Sequence, residues 1–183
     1  MKFPLRKYTI LLTGAGLIAA LDQYTKALVR THLTIGQQWA PWDWLLPYAR
    51  IVHWTNRGAA FGIFQNGSLF FTLLAFVVAI LILAYYPRIP HHEWGLRIAL
   101  VLQLGGAVGN LLDRLQHGQV TDFISVGSFA VFNVADASIS IGAAILMISY
   151  WLQERQHSPE AVQPPVEPVS PQPEALPQED VQR

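Results

Sequence analysis

The sequence predicts an all-α membrane protein of four transmembrane helices with a disordered C-terminal tail, and three observations predict it. Of the 183 residues, 52% are hydrophobic and only 13% charged, and the mean hydropathy is +0.30. Residues 67–86 form a run of twenty without a charge, about the length that crosses ~30 Å of hydrocarbon at ~1.5 Å per residue. From His157 onward the chain holds seven of its twelve prolines and almost nothing to bury, a composition that cannot offset the entropy of ordering.

The formal net charge of zero conceals a split. Residues 154–183 carry six acids against two Arg, whereas residues 1–153 carry ten Lys and Arg against six acids. A basic membrane body over 1–153 is therefore followed by an acidic tail over 154–183. Four of the body's acids, Asp22, Asp113, Asp122 and Asp136, sit in or beside apolar segments, where hydrocarbon makes each of them costly. There are no cysteines, which excludes disulfides, thiolate metal sites and a cysteine nucleophile.

The first span is expected over 8–30. Lys2, Arg6 and Lys7 before an apolar run suggest a signal peptide, but Asp22-Gln23-Tyr24-Thr25-Lys26 stands where a small-residue cleavage site belongs, and apolar residues then resume. Asp22 and Lys26 are four apart, hence on one helix face, and can pair; an ion pair near the membrane surface worth a few tenths of a kcal/mol is one reading and a functional role the other. Residues 31–66 form the first loop, which carries Trp39, Trp42, Trp44 and Trp54. Indoles favour the headgroup layer, so this loop is expected to lie on the membrane. Within it, residues 50–55 are β-prone and predict a short strand, followed by Asn56-Arg57-Gly58-Ala59-Ala60-Phe61-Gly62, whose small residues permit close backbone approach or simply form a turn.

The second span, 67–86, is stopped by Pro87 and Pro90. His91 and His92 in the next connection read as solvated rather than as metal ligands. Third and fourth spans follow over 96–114 and 133–152. Four crossings put both termini on one side, which offers Lys2, Arg6, Lys7, Arg88, Arg97 and Arg155 against Arg30, Arg50, Arg57 and Arg114 on the other. The positive-inside rule then makes the termini and tail cytoplasmic and the Trp-rich loop extracytoplasmic.

The chemistry concentrates in residues 105–136. Asn110, Asp113 and Arg114 share a face of the third helix, behind Gly105, Gly106 and Gly109, which allow close helix approach. Asn133 and Asp136 have the spacing of a capping box at the start of the fourth helix. A capping acid needs only that helix end, yet a second acid, Asp122, is expected in the turn over 116–131 at the same membrane face. Two carboxylates close together in a poorly solvated setting cannot both ionise easily, so one holds a proton near neutral pH. That state suits an aspartyl hydrolase.

Asp22-Gln23-x-Thr25-Lys26, Asn56-x-Gly58-Ala59-Ala60-Phe61, Gly105-Gly106-Ala107-x-Gly109-Asn110-Leu111-x-Asp113-Arg114, Val120-x-Asp122-Phe123 and Phe132-Asn133-x-Ala135-Asp136 together resemble the bacterial lipoprotein signal peptidases, signal peptidase II, over about Leu21 to Ile141. The resemblance implies an intramembrane aspartyl endopeptidase of the bacterial inner membrane. It would remove the signal peptide of a prolipoprotein just before the diacylglyceryl-modified cysteine, using Asp122 and Asp136. It further implies that Asn56, Gly58, Asn110, Arg114 and Asn133 line or brace the substrate cleft, that Asp22, Lys26 and Asp113 support it, and that the first loop forms a small extracytoplasmic β cradle. The expected partners are the lipidated substrate and membrane lipid, with no nucleic acid, no metal and no cofactor, and the chain is expected to act as a monomer. A proton-coupled carrier and a structural membrane subunit are the alternatives. A carrier should continue its charged groups through the membrane, whereas the second span has none and the fourth has none after Asp136 within the bilayer. A structural subunit leaves the two acids unexplained.

Overall fold

The computed structural model describes residues 5–58 and 67–156. Four long helices, α1 (Leu5–His32), α2 (Ser68–Tyr85), α3 (Trp94–His117) and α4 (Val134–Gln156), combine with strands β1 (Gln38–Trp39), β2 (Ala49–Asn56) and β3 (Val120–Val126). The strands form one antiparallel sheet in the order β1-β2-β3. The polarity of a water-soluble protein is inverted. Leu69, Phe70, Leu73, Val77, Ile80 and Leu81 of α2 are exposed, while Asp22, Lys26, Asp113 and Asn133 are wholly buried. Such a surface suits hydrocarbon, and three helical segments, Ser68–Arg88, Trp94–His117 and Val134–Arg155, are long and apolar enough to cross a membrane. α1 has 28 residues, about 42 Å of helix, and is not among these three.

α3 is the central helix, packed against α1, α2 and α4. Its close approach to α4 depends on the absence of a side chain at Gly106, where a Cβ would stand 2.5 Å from the Ala135 carbonyl oxygen; at Gly109 a Cβ would meet the Asp22 carboxylate at 2.6 Å. Packing of this kind drives helix association where both the solvent and the helix surface are apolar. At the opposite end Leu11, Ala15, Ile82, Tyr86, Ile89 and Leu104 form the apolar core.

The strand expected over 50–55 is longer, Ala49–Asn56. α4 runs to Gln156, three residues past the boundary drawn at 153, and residues 157–183, where a disordered tail is expected, lie outside the described residues. The larger correction concerns Asp122, which sits in β3 and not in a turn. α3 runs on to His117 and closes on Gly118 at φ 71°, a left-handed cap. The chain then doubles straight into a strand rich in β-branched residues, Val120, Thr121, Ile124 and Val126, because β2 supplies the partner edge. β2 carries one extra residue: Ile51 pairs with Ile124 but Trp54 with Asp122. This bulge changes the phase of the strand, so Asn56 rather than Thr55 shares a face with Asp122. After Val126 the chain turns at Gly127 (φ 51°) and returns to bridge Phe132 against Ile124, which delivers Asn133 to the head of α4.

Adding one methyl at Gly106 forces backbone apart from backbone. Gly106→Ala is therefore expected to cost about 1–3 kcal/mol, while Gly16→Ala, where a Cβ meets nothing within 4 Å, is expected to be neutral or stabilising by up to ~1 kcal/mol. Thermal unfolding of the two variants in one detergent checks this; equal melting temperatures would contradict the packing.

Candidate active site

Asp122 and Asp136 come from different elements and line one cavity of about 640 Å³. Asp136 is there because α4 begins with a capping box. The Asn133 side-chain oxygen accepts from the Asp136 N–H at 2.9 Å, and Asp136 Oδ2 accepts from the Asn133 N–H at 3.3 Å. Capping and site formation are thus one arrangement. Asp136 Oδ1 accepts from Asn110 Nδ2 at 2.7 Å. Asp122, 1% exposed, accepts from Asn133 Nδ2 at 2.7 Å on Oδ1 and from Asn56 Nδ2 at 3.1 Å on Oδ2. The Asn56 amide is itself oriented, because its oxygen accepts from the Gly58 N–H at 2.8 Å. All four carboxylate oxygens therefore face amide donors. Burial, and then the negative charge of Asp136, push the Asp122 carboxyl up to about 7 against the opposing pull of these donors and of Lys26.

Behind this pair lies a second polar layer with no access to solvent. Lys26 Nζ meets Asp22 Oδ2 at 2.8 Å, Asp113 Oδ2 at 3.3 Å and Asn110 Oδ1 at 2.9 Å, so its three protons have three acceptors. Asp22 Oδ1 accepts from the Ala135 N–H at 2.9 Å, tying α1 to the first turn of α4, whose amides have no intrahelical partner. Asp113 accepts from the Thr121 N–H at 2.8 Å and pairs with Arg30 at 3.3 Å, tying α3 to the start of β3 and to α1. Buried ions are tolerated only with partners of this completeness.

The ten candidate residues all converge. Asn56, Gly58, Asn110, Arg114, Asp122 and Asp136 line the cavity, Asn133 bridges the two acids' surroundings, and Asp22, Lys26 and Asp113 form the layer behind. Two readings change. The Asp22–Lys26 pair is no surface pair, since both side chains are fully buried, and Asp113 turns to Lys26 and Arg30 while Arg114 faces the cavity. Arg114 makes no ion pair among the described residues; its guanidinium lies 5.5 Å from the Phe71 ring centre and its Nε is buried without a hydrogen-bond partner. Ala59, Ala60 and Phe61 lie outside the described residues. Sequence reasoning gave no role to Arg30 or to Gln23, whose Nε2 donates to the Gly109 carbonyl at 3.0 Å and to Asp113 at 3.1 Å. Arg30 was signalled by its i+4 spacing from Lys26 and i+8 spacing from Asp22. Among the described residues no group of three or more His, Asp or Glu is arranged to hold a metal.

The cavity divides by chemistry. Part of its lining is the acids and amides, and part is the apolar side chains Phe71, Leu74, Val78, Ala107 and Ile139 of α2, α3 and α4, with Gln103 and Ser140 also present. An apolar segment can lie along the second while a peptide bond meets the first.

Comparison with known proteins agrees with this geometry. Residues 15–152 match the family model of signal peptidase (SPase) II. The chain is 41% identical over 151 residues to the lipoprotein signal peptidase of Hydrogenovibrio crunogenus, covering 77% of this chain and 85% of that one. It is 39% identical over 149 residues to that of Brevibacillus brevis, covering 78% and 95%. A bacterial membrane enzyme solved by the in meso method at 2.3 Å resolution superposes with a TM-score of 0.73 and 27% identity, over 82% of this chain and 92% of the other. Two acids on one cavity wall, inverted polarity and this breadth of similarity agree, and the chain belongs to the signal peptidase II family.

Proposed function

We propose that this chain is an intramembrane aspartyl endopeptidase that cuts prolipoproteins just before the diacylglyceryl-modified cysteine, with Asp122 and Asp136 as the catalytic pair. The observation that carries the reading is the pairing itself: two carboxylates face one cavity, with every oxygen held by an amide donor. Charge counting supports one shared proton. Lys26 and Arg30 balance Asp22 and Asp113, which leaves Arg114 alone beside Asp122 and Asp136. One proton on the pair makes the site neutral.

We assign the role of base, the anion of the pair, to Asp136 from its place in the first turn of α4, where the helix dipole and free amides favour negative charge. Asp122, buried and facing that anion, keeps the proton. A water held between them then loses a proton to Asp136 as its oxygen attacks the scissile carbonyl carbon, while Asp122 protonates the carbonyl oxygen. In the collapse Asp136 passes its proton to the leaving nitrogen, the C–N bond breaks, and Asp122 recovers its proton from the hydroxyl. The apolar part of the cavity lining receives the signal peptide.

Depth supplies part of the specificity. Trp39, Trp42, Trp44 and Trp54 are all more than half exposed, and such a girdle settles at the headgroup layer. Acyl chains worth roughly 0.8 kcal/mol per buried CH₂ hold the substrate's cysteine at the same level. In this reading residues 1–153 form a peptidase domain of four spans. α1 is the fourth crossing, its exposed Ile10, Leu12, Leu17 and Leu21 facing lipid. Both termini are cytoplasmic in the bacterial inner membrane.

Purified protein incubated with a diacylglyceryl-modified prolipoprotein should yield the shortened product, and the unmodified precursor should be cut far more slowly. Asp122→Asn and Asp136→Asn should each abolish turnover with the fold intact, and the double variant should be scarcely worse, because the two groups act as a unit. Product from either single variant at an appreciable rate would contradict the mechanism.

Stability carries the same signature. A carboxyl held above its ordinary 3.8 in the folded chain contributes stability that is fully present below that value and lost as pH rises through about 7. The melting temperature of Asp122→Asn relative to the unsubstituted protein should therefore rise between pH 5 and pH 8. A difference that stays constant or falls would place the raised carboxyl elsewhere.

A further inference from the structure

The proposed mechanism uses Asp122 and Asp136 but leaves a buried lysine in the layer behind them without a role. Lys26 reaches no part of the cavity. It touches the site through one group, Asn110, and the chemistry of that contact is directional. An ammonium has three donors and no acceptor, so the Asn110 atom 2.9 Å from it must be the oxygen. Asn133 Nδ2, another donor, approaches that same oxygen at 3.1 Å. With the oxygen committed twice on one side, the Asn110 NH₂ has to point the other way, and there it meets Asp136 Oδ1 at 2.7 Å. Turned over, the amide would set its oxygen against the carboxylate and its NH₂ against the ammonium, two repulsive contacts at once.

We propose that Lys26 is a positioning residue for the catalytic pair: by locking the Asn110 amide it keeps an N–H donor on Asp136, and so keeps Asp136 as the ionised partner. The inference rests on the aspartyl reading above and deepens it. A donor aimed at a carboxylate stabilises the anion, and an acceptor in its place stabilises the acid. If Asp136 took the proton, the base would be lost and the pair's ionisation would move to higher pH.

The charged and titratable groups facing this corner come from three elements. Arg114 of α3 and Asp122 of β3 share the cavity; Asp22 and Arg30 of α1 and Asp113 and His117 of α3 surround Lys26 or its partners; α2 contributes only apolar residues, among them Phe71 and Val78. Removing Lys26 alone would leave Asp22 uncompensated. Asp22→Asn/Lys26→Met removes the pair together, leaves Asp113 with Arg30, and cancels most of the distant field.

The test is the ionisation of the pair, read twice: from the pH dependence of kcat/KM, and from the infrared carboxyl band of the purified protein, which needs no turnover. In Asp22→Asn/Lys26→Met the acidic limb and the lower of the pair's two infrared midpoints should both move up by about one unit, a tenfold loss of kcat/KM on that limb. In an Asn110→Ala background the same replacement should move that lower midpoint by no more than about a third of that, since its route to Asp136 is gone. Asp22→Asn/Lys26→Gln, which keeps a donor without the charge, should titrate like the unsubstituted protein, and carries the test if the Met variant does not fold. Equal displacements with and without Asn110, no displacement in either, or a Gln variant displaced as far as the Met variant would overturn the lock. An unsubstituted protein that does not cleave would instead overturn the functional reading, and the infrared titration would still decide the lock.

Discussion

The buried lysine is the interaction on which the site depends. Lys26 cannot be hydrated where it lies, so it has to be satisfied by protein oxygens, and the three that satisfy it come from α1 and α3. Each of those partners is committed elsewhere. Asp22 holds the Ala135 amide of α4 and Asp113 holds the Thr121 amide of β3. Satisfying one ammonium thus fixes two helices, the head of a third and the first residues of the strand that bears Asp122. Breaking one partner of such a group leaves an uncompensated charge, which is far more damaging than replacing the whole group by apolar side chains.

The same economy governs the head of α4. A helix N-terminus in an apolar setting must find acceptors for its free amides, and here the acceptors are Asp22, Asn133 and Asp136. Structural need and the proposed chemical use coincide in Asp136. The sheet performs the corresponding service for Asp122, because the bulge in β2 turns Asn56 toward it.

Much of this was legible in the residues. α2 was plain from twenty uncharged positions, and the site was plain because Asp113, Asp122 and Asp136 stand where an acid is expensive. The box between Asn133 and Asp136 was legible from spacing, although only the structure shows that capping and cavity lining belong to the same carboxylate. β3 was not legible: Val120–Val126 is a strand because β2 lies beside it, and β2 is more than sixty positions away. The burial of Asp22 and Lys26 was not legible for a related reason. Their i, i+4 spacing is identical on a solvated face and in a sealed core, and what seals this one is Gly109, whose missing Cβ lets the Asp22 carboxylate approach α3.

In the proposed mechanism one proton resides on Asp122 near neutral pH while Asp136 is ionised. Isotope-edited infrared titration of the purified protein, with aspartate carboxyls labelled, observes that proton directly. The expected result is a protonated carboxyl band that disappears with a midpoint near 7, that is missing from Asp122→Asn and that persists in Asp136→Asn. No protonated carboxyl between pH 5 and pH 9, or a band lost instead from Asp136→Asn, would contradict it.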